Sequence, residues 1–149
     1  MNHNEQLNED DYKSIQRAGH VLAEQKWRRT FTLNQMLDAW KDLVEDLDEG
    51  YDSTFAYEWH DDLRYRDWLH AAWPMLTRRI QELRLPQLQA LDDRYRKATV
   101  PIRTSSRPAS GPYDLKAPWW HSRRPRLIHT AHPQDDLPAG WSPPETPIP

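Results

Sequence analysis

The chain has 149 residues, no cysteine, and 23 acidic against 20 basic side chains, for a net charge of −3. Without thiols there is no disulfide or thiolate chemistry, which fits a reducing compartment. The negative total argues against a general nucleic-acid-coating role, and no apolar run approaches the ~20 residues that span a bilayer.

Residues 1–99 hold 14 basic and 19 acidic side chains, and residues 100–149 hold 6 and 4. Eleven of the thirteen prolines also follow Val100. One part has the composition to build a core while the other must borrow one. We therefore expect a polar segment at 1–10, a helical domain at 11–99, a linker at 100–112 and a Pro/Trp-rich docking tail at 113–149. The first six residues, Met1-Asn2-His3-Asn4-Glu5-Gln6, lack the basic start and apolar run of a signal peptide. A cytoplasmic, bacterial-type protein is the expectation.

In chain order, Asp10-Asp11 can cap a first helix from about Tyr12 to Trp27, with Ile15, Ala18 and Leu22 on one face. A second helix is better marked. Thr32 and Gln35 form a T-x-x-Q capping box, and Phe31 and Met36 occupy the staple positions. Leu33, Met36, Leu37, Trp40, Leu43, Val44 and Leu47 then recur at steps of three and four, and Gly50 is the left-handed stop. Trp40 is expected in the core.

Between Tyr51 and Trp59 the apolar spacing is irregular, which predicts a short helix or turn capped by Asp52 or Ser53. Asp61 or Asp62 can start a further helix that Pro74 interrupts. Pro86 repeats that punctuation before a last helix ending near Ala98. The expected fold is all-α, a small bundle of four to six helices with a proline-rich, largely irregular C-terminal tail. The linker core, RTSSRPASGP at 103–112, should be the first site of proteolysis.

Three groups of residues invite functional readings. The first is acidic: Asp38, Asp42, Glu45, Asp46, Asp48, Glu49 and Asp52, continued by Glu58, Asp61 and Asp62, with Lys41 the sole opposing charge in that span. A solvated helix face explains it, and so does a docking surface for a basic protein. The second is Trp119, Trp120, Arg123, Arg124 and Arg126, in which stacking surfaces and guanidinium groups alternate. Such a set grips single-stranded nucleic acid. It equally suits docking in cis, because tethering raises its local concentration beside the acidic helix.

The third is His60-Asp61, a dipeptide similar to that of HD-domain metal phosphohydrolases. That pattern would require His20 upstream and Asp92 or Asp93 downstream, whereas Glu58 to Asp62 also reads as a helix-capping acidic turn. The arginines from Arg64 onward should pair with acidic neighbours, Asp62 with Arg66 at i,i+4 among them.

The stretch Glu49-Gly50-Tyr51, Tyr57 and Asp62-Leu63-Arg64-Tyr65-Arg66-Asp67-Trp68-Leu69 resembles small uncharacterised all-helical bacterial proteins with a GY…Y-x-N-D-L-x-x-R-D-x-L pattern. Around His60-Asp61 the chain departs from the Asn-Asp of that pattern, and the resemblance implies a shared helical core with no catalytic residue.

From these residues we expect a non-enzymatic binding module of inhibitor, immunity or adaptor type, with no cofactor or metal, presenting the acidic surface to a basic partner. The alternatives are a nucleic-acid-associated accessory protein using the Trp/Arg tail and a small helical metal-dependent phosphohydrolase at His60-Asp61.

Overall fold

The computed structural model describes residues 7–102, 118–129, 141 and 146–147. The chain is mostly helical, as its patterning implies. Its elements are α1 (Glu9–Leu22), α2 (Leu33–Glu49), β1 (Tyr51–Asp52), α3 (Trp59–Asp62), α4 (Arg64–Ala72), α5 (Arg78–Ala98), β2 (Thr99–Pro101), β3 (Arg123–Pro125), β4 (Leu127–His129) and β5 (Thr146–Pro147). They form two compact units. The first contains residues 1–42 and 64–92, the second 43–63 and 93–149, so the chain passes from one to the other inside α2, between Leu63 and Arg64, and inside α5.

In the first unit α1 starts earlier than Asp10-Asp11 capping would have it. Asn8 is the N-cap: its Oδ1 accepts from the Asp11 N–H at 2.9 Å while Asp11 Oδ2 accepts from the Asn8 N–H at 2.9 Å. Asp11 is better used as the third-position partner of a box than as the cap itself. The helix then widens into a π turn at Ala23–Trp27, closed by Arg28 at φ 60°. The wider turn advances the buried stripe by five residues, from Leu22 to Trp27. A regular α step of four would have put Lys26 there.

Gly19 permits close packing of α1, since a Cβ at this position would lie 2.6 Å from the Phe31 carbonyl oxygen. The Thr32–Gln35 box opens α2 as its sequence implies, with Thr32 N–H to Gln35 Oε1 at 2.9 Å and Gln35 N–H to Thr32 Oγ1 at 3.2 Å.

The α4 helix ends in a 3₁₀ turn at Trp73–Met75, with Pro74 in its first positions. Gln81 caps that turn by donating to the Trp73 carbonyl at 2.7 Å. Pro86 does not start a new helix, because α5 runs unbroken through it. An internal proline costs ~3 kcal/mol, but Pro86 is exposed, and one continuous helix buries Ile80, Leu88 and Leu91 together. Those residues join Ala18, Leu22, Trp27, Leu33, Met36, Leu37, Trp40, Trp68 and Leu69 in the core.

That core contains an ion pair. Arg66 donates to both oxygens of Asp92, at 2.9 and 3.0 Å, and Trp40 Nε1 donates to Asp92 Oδ1 at 3.1 Å. Arg66 is thus paired with Asp92 and not with Asp62, the partner that i,i+4 spacing would select. In the low-dielectric interior a bidentate geometry with an added donor outcompetes a helix-surface pair.

The second unit is built around aromatic side chains. Tyr51, Trp59, Tyr95, Trp120 and Trp141 are buried with Leu43, Val44, Leu47, Leu63, Ala98 and Ile128. The Trp59 and Tyr95 rings stack with centroids 6.3 Å apart, and Trp141 meets Trp59 edge-on at 5.7 Å. The post-100 chain enters as two small sheets. In the first, β2 pairs antiparallel with β3, Val100 opposite Arg124. In the second, β4 lies between β1 and β5, parallel to both, with Ile128 opposite Tyr51. The expected linker at 100–112 lies outside the described residues except for Val100, Pro101 and Ile102, which are paired: the Ile102 N–H donates to the Ser122 carbonyl at 2.8 Å.

Candidate functional site

The acidic residues singled out in the sequence fall in both units. Asp38 and Asp42 are exposed on the part of α2 that belongs to the first. Glu45, Asp46, Asp48, Glu49 and Asp52 are exposed in the second, as are Glu58 and Asp61 of the same acidic run, with Asp62 half-buried.

The local fold that gathers them starts at Gly50, whose φ of 114° suits a residue without a Cβ. The reversal puts the Tyr51 ring inside the unit and leaves Asp52 outside, where its carboxylate accepts from the Thr54 N–H at 2.9 Å and caps a 3₁₀ turn at Ser53–Glu58. That hydrogen bond holds the Asp52 carboxyl below its ordinary range. The Tyr51 hydroxyl lies 2.7 Å from the Phe55 carbonyl oxygen and 2.9 Å from Asp62 Oδ2. One phenolic proton therefore serves two acceptors, unless Asp62 itself carries a proton.

The electrostatics of this corner run in one direction. Partial burial pushes the Asp62 carboxyl up from its ordinary value, and the negative charges of Glu58, Asp61 and Asp46 push it further, against the opposing hydrogen bond from Tyr51. Burial, the Asp62 contact and the charges of Glu58 and Asp52 drive the Tyr51 hydroxyl up as well. In both cases like charge and desolvation disfavour the ionised form. Among the described residues, Arg94 reaches Asp48 at 2.6 Å, and His129 acts on Asp52 through space.

The tail residues have other employment. Trp120 is 2% exposed, and the Tyr95 hydroxyl donates to its carbonyl at 2.6 Å. Trp119, half-buried, has the Arg96 guanidinium over its ring at 4.0 Å. Arg123 donates to Thr99 Oγ1 at 2.8 Å and to the carbonyls of Thr99 and Arg96 at 3.0 and 3.1 Å, while its own carbonyl accepts from Trp59 Nε1 at 2.9 Å. Arg126 reaches the Lys97 carbonyl at 3.3 Å, and the buried Arg124 contacts the Pro125 carbonyl at 2.9 Å. Arg123 and Arg126 thus sit on the last carbonyls of α5 and not on the acidic residues. A helix C-terminus offers unpaired oxygens and the negative end of the dipole, which a guanidinium satisfies without displacing solvent from an exposed carboxylate.

His60 faces His121, with Nδ1 atoms 3.1 Å apart and ring planes within 13°. That is one imidazole donating to the other across two distant segments of the chain. Of the remaining members of a phosphohydrolase pattern, His20 is exposed on α1 of the first unit, and the two aspartates are engaged elsewhere. Asp92 is locked by Arg66 and Trp40, and Asp93 pairs with Arg96 at 3.0 Å. Among the described residues no three His, Asp or Glu side chains converge as metal ligands, and no helix is long and apolar enough to cross a membrane.

Sequence reasoning missed the Tyr51–Asp62 contact, the His60–His121 pair and the outward placement of Phe55 and Tyr57. The sole trace of the last was that these aromatics fit neither a helical nor a strand period. No family model, curated protein or solved structure matches this chain.

Proposed function

We propose that this chain is a non-enzymatic protein-binding module, of inhibitor, immunity or adaptor type, that presents the acidic face of its second unit to a basic partner. The observation that carries the reading is the gathering of exposed carboxylates around the half-buried Asp62, whose own carboxyl is raised by burial and by the charges of Glu58, Asp61 and Asp46. Glu45, Asp46, Glu49 and Asp52 are exposed around it, and Arg123 and Arg126 of the same unit are committed to backbone carbonyls. A concentrated field of one sign accelerates encounter with a cationic surface and rejects anionic ones. The same commitment of Trp120, Arg123 and Arg126 weakens the case for nucleic acid as the partner. A reducing compartment such as the cytoplasm suits a module without thiols.

The test uses the full chain and a labelled nona-arginine peptide as the cationic probe. Replacing Glu45, Asp46, Glu49 and Asp52 together by their amides should slow association roughly tenfold at low salt, with the difference shrinking as ionic strength rises. A charge-matched control that neutralises Glu9, Asp10, Glu24 and Glu82 of the first unit should leave the rate close to that of the parent. Equal slowing by both sets would mean that net charge alone is responsible, and the reading would fall.

A further inference from the structure

Phe55 and Tyr57 are 49% and 71% exposed, and among the described residues they are the two large apolar side chains that the second unit leaves in water. Both belong to the Ser53–Glu58 turn. With three residues per turn, every third side chain of a 3₁₀ segment shares a ridge. Ser53 and Ala56 form the buried ridge. The other two ridges, Thr54 with Tyr57 and Phe55 with Glu58, are all exposed.

The turn is also held still. Asp52 caps its start, and the Tyr51 hydroxyl reaches the Phe55 carbonyl. Single exposed apolar residues need no explanation. Two aromatic rings on one pinned turn, with Asp52 before it, Glu58 at its end and Asp61 after it, are a different matter, because rigid aromatics lose little entropy on contact and are enriched in binding hot spots.

The chemistry of the rim selects the occupant. Anionic lipid or nucleic acid would be repelled by the carboxylates. A lysine would satisfy the charge, but an arginine does more: its planar guanidinium stacks on an aromatic face while its N–H fork bridges carboxylate oxygens. We propose that the Ser53–Glu58 turn is the contact hot spot of the acidic face, with Phe55 and Tyr57 receiving arginine side chains of a basic protein partner and Asp52, Glu58 and Asp61 pairing with them. This rests on the acidic-face reading given above and adds to it a preference for arginine over lysine that charge alone does not supply.

The experiment compares nona-arginine and nona-lysine peptides, which carry equal charge, binding to the full chain at fixed salt. The parent should bind the arginine peptide roughly tenfold more tightly, in keeping with two stacking contacts at exposed positions. A Phe55→Leu, Tyr57→Leu double variant keeps apolar bulk but removes both rings. It should lose most of that preference while binding the lysine peptide as the parent does. In the unmodified chain, ring-current upfield shifts of arginine side-chain protons on binding give a second readout that needs no mutation.

Equal binding of the two peptides by the parent, a preference unchanged in the double variant, or an absence of ring-current shifts would each overturn the hot spot. In those cases the acidic-face reading survives provided that both peptides bind and the Glu45, Asp46, Glu49 and Asp52 amide variant weakens both. If neither peptide binds the parent, both proposals fall.

Discussion

In the first unit the buried carboxylates meet donors and cations. Asp11 accepts from Asn8 and Thr77 and lies 3.5 Å from Arg79, and Asp92 holds Arg66 and Trp40. In the second unit the half-buried Asp62 meets one hydroxyl and the charges of three other carboxylates. The same residue type therefore stabilises one unit and repels its neighbours in the other. An acidic group is informative about function when its surroundings leave it unsatisfied, since selection for stability alone would have supplied a partner.

Large aromatic truncations test whether each unit has the core described for it. Trp40→Ala in the first and Trp120→Ala in the second should each cost ~3–5 kcal/mol, read as the shift of a denaturant midpoint. Unchanged stability in the Trp120 variant would mean that the tail tryptophan is not part of the second core.

The contrast between carboxylates is probed most directly by paired amide substitutions. Asp92→Asn removes the buried charge that Arg66 and Trp40 both meet and should cost ~3–5 kcal/mol. Asp46→Asn in the second unit should change stability by less than ~0.5 kcal/mol, or raise it, because a repulsive neighbour of Asp62 is removed. Similar losses in the two variants would erase the distinction.

Gly19→Ala should destabilise by ~1–3 kcal/mol, because the added methyl meets the Phe31 carbonyl oxygen, which is backbone and cannot swing away, and also the Thr30 methyl at 2.9 Å. Thermal denaturation of this variant reports whether α1 of the first unit is packed as closely as described.

The smallest effects are in pH, and their signs differ between the units. The hydrogen bond from Thr77, with smaller help from Asn8 and Arg79, holds the Asp11 carboxyl below its ordinary value. Its stabilisation is present above the unfolded pKa of ~3.9 and is lost as pH falls through the folded value. The Asp62 carboxyl is raised, so the folded chain binds that proton more tightly than the unfolded one. Between the unfolded and folded values stability therefore falls as pH rises. Carboxyl carbon chemical shifts followed by NMR should give Asp11 a midpoint below, and Asp62 a midpoint above, that of an unstructured aspartate. Midpoints on the same side would remove the electrostatic contrast.

Much of the local structure was legible in the chain itself. The T-x-x-Q box before Leu33, the apolar steps from Leu33 to Leu47, the stop at Gly50 and the break at Pro74 act over four residues or fewer, a range at which backbone sterics and capping hydrogen bonds decide the outcome. The all-α class follows from that repetition. The exposed acidic residues of the candidate site could be read the same way, since they alternate with that stripe. Tertiary structure decided the rest. It chose Asp92 over Asp62 for Arg66, carried a helix through Pro86, widened α1 to bury Trp27, seated Arg123 on the end of α5, and turned Phe55 and Tyr57 outward. Each of these depends on which distant segment fills the adjoining space. Burial and desolvation are worth several kcal/mol where local preferences are worth one or less, so packing outweighed the nearest sequence neighbour at these positions.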